Sequence, residues 1–300
     1  MRTLRVLGFV AAMSTTFACG TAADQSESDL TSGDNGDPEA QTIVAAPETA
    51  PARAFTSSNG QFLQTTEHVA VRTSPRANAS AVRVLPKGSI VNAVTGGSGE
   101  AGYLKVSGNG ATGWVYTNYL IADPGKKGSG GAAGGGEVDV NGEASPSVAI
   151  ARAEAAMGFS YYWGGGAWPA DGVTDAIAGS CSGSCPSCRH KGKFGADCSG
   201  LVAKAWKFGA EALDENSHPF GTGEFVEAKE GHWSIVSRDE AKKADAFVYR
   251  SGDKGHIVLY ERGDAWGSPV VYECKSCAAG CVYNARTLGS AYKAIRREGF

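Results

Sequence analysis

The side chains best suited to covalent chemistry here are cysteine, histidine and carboxylate, and one of each can be argued to one place: Cys198, His256 and Glu273. The run Asp197-Cys198-Ser199-Gly200-Leu201-Val202-Ala203-Lys204-Ala205-Trp206-Lys207-Phe208 opens on a capping acid and stops at Gly209. That pattern predicts a helix beginning at Cys198. A cysteine in the first turn meets the positive end of the helix dipole, which favours thiolate over a thiol whose ordinary pKa is about 8.5. The thiolate is the nucleophile, and it needs a base. Of the five histidines, only His256 begins a strand-like run, Gly255-His256-Ile257-Val258-Leu259-Tyr260, whereas His190, His218 and His232 read as surface loop positions. Val270-Val271-Tyr272-Glu273 would return as a hairpin centred between Asp264 and Ala265, placing Glu273 opposite His256 on the same face. A carboxylate there orients the imidazole and stabilises the imidazolium, although a glutamate can also simply solvate a strand end.

Six of the remaining cysteines form two triplets, Cys181-x3-Cys185-x2-Cys188 and Cys274-x2-Cys277-x3-Cys281, which flank the proposed site in sequence. The segment Met1 to Gly20 has Arg2 and Arg5 before a short apolar stretch and then small residues, the pattern of an export signal too short to span a bilayer. In an exported protein an even set favours three disulfides over a thiolate zinc site, so no metal or other cofactor is expected. Bridges between the triplets would pin the insertion that carries the first one against the Glu273 strand.

The elements that must position these groups occupy two units. The chain has 300 residues, 42 of them glycine, and a net charge of -3, which offers no basic field for a nucleic acid. Residues 1–18 read as the signal and 19–60 as a disordered acidic tether. Residues 61–123 alternate apolar and polar positions between turn signals, as a small all-β barrel does. Residues 124–144 form a Gly-rich linker, and 145–300 carry the candidate site. There, Ser145-Pro146 and Gly158 bracket a helix over Ser147 to Met157.

Three resemblances follow from these residues. Thr16-Phe17-Ala18-Cys19-Gly20 resembles the lipobox of bacterial lipoproteins, which implies lipidation of Cys19 and anchoring in a lipid bilayer of the cell envelope (the outer membrane in a Gram-negative host). Ordinary signal cleavage is the alternative. Val69 to Pro75, Leu85-Pro86-Lys87-Gly88, Tyr103 to Val106 and Gly113-Trp114-Val115 resemble the bacterial SH3-like domain, which implies binding to wall peptides; a structural spacer is the alternative. Ser160-Tyr161-Tyr162-Trp163-Gly164-Gly165, Asp197 to Val202, Asp245-Ala246-Phe247-Val248 and Gly255 to Tyr260 resemble, in order, the blocks of the NlpC family of cell-wall cysteine peptidases. That resemblance implies an α+β papain-like fold in the second unit. It further implies Cys198 as nucleophile, His256 as base, Glu273 at the third position, and Tyr161 with Ser199 near the oxyanion and substrate. The family more often has histidine at the third position and glycine where Val258 stands. The expected activity is hydrolysis of an amide in peptidoglycan stem peptides, commonly between γ-D-glutamate and the diamino acid, by a monomer. The alternatives are a related amidase or acyltransferase, and a non-catalytic wall-binding scaffold lipoprotein.

Overall fold

A computed structural model describes residues 44–123 and 138–300. Cys19, the signal, the first part of the tether and most of the linker lie outside them. No helix among the described residues is long and apolar enough to cross a membrane.

The first unit contains β1 (Phe62–Thr65), β2 (Val69–Arg72), β3 (Ala81–Leu85), β4 (Ile90–Ala93), β5 (Tyr103–Gly108), β6 (Ala111–Tyr116) and β7 (Leu120–Ala122). Their order in one antiparallel sheet is β3-β2-β6-β5-β4-β1-β7. The outer strands β3 and β7 do not pair with each other, so the sheet curls around its core without closing, where a barrel was expected. Leu63, Val71, Val91, Leu104, Val115 and Leu120 supply that core, the inward set of each alternating strand. The expected tether is partly bound. From Val44 to Gly60 the chain lies against this sheet, where Glu48 finds a salt bridge to Arg72 at 3.0 Å and a bond from the Tyr103 hydroxyl.

The second unit holds α1 (Pro146–Ala155), the short strands β8 (Gly166–Ala167), β9 (Ser180–Ser182), β10 (Arg189–Lys191) and β11 (Gly195–Ala196), then α2 (Cys198–Ala205) and α3 (Thr222–Phe225). After them come β12 (Trp233–Val236), β13 (Ala246–Ser251), β14 (Lys254–Arg262), β15 (Val270–Ser276), β16 (Gly280–Ala285) and β17 (Lys293–Arg297), in one antiparallel sheet of order β12-β17-β13-β14-β15-β16. Alternation splits this sheet into two faces. Ala246, Val248, Ile257, Leu259 and Tyr272 pack with Leu201, Val202 and Trp206 of α2. Phe247, Val258, Tyr260 and Val271 form a second core with Leu288, Tyr292 and Ala294 on the other face.

Both expected helices begin where their caps stand. The Ser145 hydroxyl accepts from the Val148 N–H at 3.3 Å, with Pro146 at the first helical position. α2 stops earlier than Gly209 because Lys207 takes the left-handed conformation at φ 60°. The Phe208 N–H then donates to the Ala203 carbonyl and the Lys207 N–H to the Lys204 carbonyl, the paired bonds of a Schellman end.

The two sheets meet along the free edge of β16. Ser89 bridges Asn284, and the Ala285 N–H donates to the Gly88 carbonyl at 2.9 Å. A Cβ on Gly88, whose φ is +88°, would stand 2.4 Å from the Ala285 carbonyl oxygen, so this contact needs glycine. Arg83 reaches across to the carbonyls of Gly158 and Ala279.

Candidate functional site

The start of α2 is built by Asp197. Its Oδ1 accepts from the Gly200 N–H at 2.7 Å and from the Ser199 hydroxyl at 2.8 Å, while Oδ2 accepts from the Gly164 N–H at 2.8 Å. One buried carboxylate therefore caps the helix and ties it to the turn that follows Tyr161. Gly200 is required by the same packing, since a Cβ there would stand 2.0 Å from the Gly165 carbonyl oxygen. The N–H groups of Cys198 and Ser199 occupy the first turn, where a helix offers donors without intrahelical acceptors. Tyr161 runs beside this start, bridging Ala196, and is buried. The Ser199 hydroxyl, expected near the oxyanion, is engaged by Asp197.

Cys198 is fully buried and lies in the helix-side core. Its sulfur is part of a disulfide. A disulfide sulfur is not a thiolate, so nucleophilic chemistry at Cys198 requires this bond to be reduced.

His256 and Glu273 do meet, by a register two residues away from the expected one. Arg262 pairs with Val270 across a turn that lies further along the chain than expected, and a bulge between Tyr260 and Arg262 takes back one residue, so that Leu259 pairs with Tyr272. An even shift preserves the face. The His256 Nε2–H donates to Glu273 Oε2 at 2.7 Å. Two residues absent from the expected set hold Glu273 in place: Arg286 Nη1 donates to Oε2 at 2.7 Å and Asn284 Nδ2 to Oε1 at 3.0 Å. The available signal was an asparagine interrupting the apolar alternation of β16, whose register sets Val282 opposite Glu273.

Burial alone would raise the Glu273 carboxyl, but the Arg286 guanidinium and the His256 N–H outweigh it and hold the group well below the usual carboxylate range. Burial lowers the His256 imidazole below its ordinary 6.5 despite the attraction of Glu273. An ionised carboxylate only accepts, so the Nε2 proton is fixed and Nδ1 keeps its lone pair. Nδ1 is buried without a hydrogen-bond partner. Both carboxylate oxygens of Glu273 are thus engaged within the set of His256, Glu273, Arg286 and Asn284. His256 and Glu273 have the phase of Val258 and Val271, on the face opposite the main body of α2.

The first sheet carries the strand pattern of a known domain. Residues 67–121 match the bacterial SH3 domain family. No curated protein matches the chain. Among solved structures, NlpC2 from Trichomonas vaginalis aligns at 15% identity over 79% of this chain and 72% of its own, with a TM-score of 0.31. NlpC1 from the same organism aligns at 14% identity over 79% and 68%, with a TM-score of 0.29. TM-scores this low do not establish a common fold.

His190 is not the surface residue expected. It stacks on Tyr162 with ring centroids 4.1 Å apart, and its Nδ1 lies 3.2 Å from the Ser160 hydroxyl and 3.1 Å from the Tyr161 carbonyl. The three expected disulfides form, but a single one pins the insertion: Cys181–Cys277 joins the triplets, while Cys185–Cys188 and Cys274–Cys281 close within them. Local chain geometry explains the last two. A two-residue spacer brings Cys185 and Cys188 together, and β-pairing sets Cys274 directly opposite Cys281.

Proposed function

We propose that the chain is a wall-associated cysteine hydrolase that cleaves an amide in peptidoglycan stem peptides, with the γ-D-glutamyl-diamino acid bond as the first substrate to test. The observation that carries this reading is the buried His256 held by an anchored carboxylate in the tautomer that leaves Nδ1 open, together with Cys198 at the capped start of α2. This requires that the reduced enzyme bring Nδ1 within reach of Cys198, so that Nδ1 takes the thiol proton and the thiolate attacks the carbonyl. First-turn N–H groups of α2 hold the oxyanion, His256 returns the proton to the leaving amine, and water resolves the thioester. Glu273 keeps the imidazole oriented and compensates its charge. The bacterial SH3 domain supports a wall location, and lipidation at Cys19 would add the envelope anchor. The papain-like arrangement of the second unit and its monomeric state belong to this same reading.

A wall-binding scaffold is the second reading, favoured by the disulfide at Cys198. Sacculi incubated with oxidised and with reduced protein separate the two. Cleavage that appears only after reduction supports the hydrolase, and binding without cleavage in both states supports the scaffold.

A further inference from the structure

Cys181, Cys185, Cys188 and Cys277 place their four sulfurs within 4.8 Å of one another, although they come from β9, the loop between β9 and β10, and the turn between β15 and β16. They are paired as two adjacent disulfides. The third bridge, Cys274–Cys281, is fully buried in the core and stands apart from this group. A tetrahedral zinc thiolate with Zn–S near 2.3 Å has sulfurs roughly 3.8 Å apart, so the cluster is already almost the size of that coordination sphere. Cys185 and Cys188 have the two-residue spacer of a chelating knuckle. All four residues are partly exposed, which gives an ion a path in. Arg189, His190 and Lys191 line the strand paired with β9, where a doubly negative tetrathiolate would gain from basic neighbours.

We propose that this cluster is a zinc site in the reduced protein, and that zinc and the two disulfides are alternative clamps between the β9–β10 insertion and the β15–β16 turn. The exchange balances with a dithiol reductant. Two disulfides take four electrons and four protons from two dithiols, and zinc then displaces four protons from the four thiols to form the tetrathiolate. Either clamp holds β10, and with it the His190 ring stacked on Tyr162 beside the start of α2. The inference does not depend on hydrolase activity.

The test uses the full chain reduced under argon and titrated with zinc, with cobalt as the optical probe. The expected result is one ion per chain, four thiols protected from alkylation, and thiolate-to-cobalt charge-transfer bands. Oxidised protein should bind none. Cys181→Ser should lose stoichiometric binding, while the paired variant Cys274→Ser with Cys281→Ser should keep it. If reduction alone unfolds the second unit, zinc should restore its circular dichroism. Absence of stoichiometric binding, equal binding by Cys181→Ser, or a reduced chain that stays unfolded with zinc would each overturn the proposal.

Discussion

Replacing Arg286 by leucine removes the cation from a carboxylate with no exposed surface. The pair has side-chain exposures of 5% and 0% and a separation of 2.7 Å. Removing one partner of such a pair costs about 3–5 kcal/mol. Asn284 and His256 still serve Glu273, so the lower end, about 3 kcal/mol at pH 7, is the expected loss. The pH dependence follows from direction. Glu273 has a depressed folded pKa, so its contribution is present above the unfolded value near 4.3 and is lost as pH falls through the folded value. Without Arg286 burial has less opposing it, and Glu273 protonates at a higher pH than in the parent. Protonation relieves the variant, so the stability gap is widest near neutrality and narrows toward pH 4. Urea unfolding followed by the emission of the buried Trp168, Trp206 and Trp233 reports this unit. Adding Glu273→Gln to Arg286→Leu should recover much of the loss, since both charges then disappear together. A loss below about 1 kcal/mol, a gap independent of pH, or an additive double variant would refute the reasoning.

Asp197→Ala removes the cap of α2 and the bond to Gly164, and is expected to cost about 1–2 kcal/mol by thermal unfolding, with a larger fall in turnover than in sacculus binding. Cys181→Ser opens a crosslink spanning 96 residues, worth roughly 4.7 kcal/mol in the chain-entropy description, whereas Cys185→Ser should cost far less in the same non-reducing melt. Because burial lowers His256, the acid limb of a kcat/KM profile is expected below 6.5; a limb above that value would show an imidazolium favoured by Glu273 over burial.

The site was legible in the sequence where its signals are local. A capping acid before an apolar run specified the start of α2 and so the place of Cys198, and strand alternation put His256 and Glu273 on one face even though the exact register was missed. The miss lies in the turn: several turn-forming residues between Arg262 and Val270 left its centre open, and the first pair, Arg262 with Val270, places it beyond the expected point between Asp264 and Ala265. Arg286 and Asn284 were out of reach because their meeting with Glu273 depends on the pairing of β15 with β16 and on the chain just beyond it. Lys207 shows the limit for boundaries. A lysine in the left-handed region ended a helix that glycine was expected to end. His190 looked exposed because its loop is rich in glycine and lysine, yet Tyr162, 28 residues earlier, supplies a ring to stack on.

The most direct measurement digests purified peptidoglycan with the reduced full chain and follows new amine termini and fragment masses, with Cys198→Ala alongside. Cleavage at a stem-peptide amide by the parent and none by Cys198→Ala is the result expected of a Cys198 thioester mechanism. Equal cleavage by both proteins, or none by a reduced parent that still binds the sacculi, would contradict it.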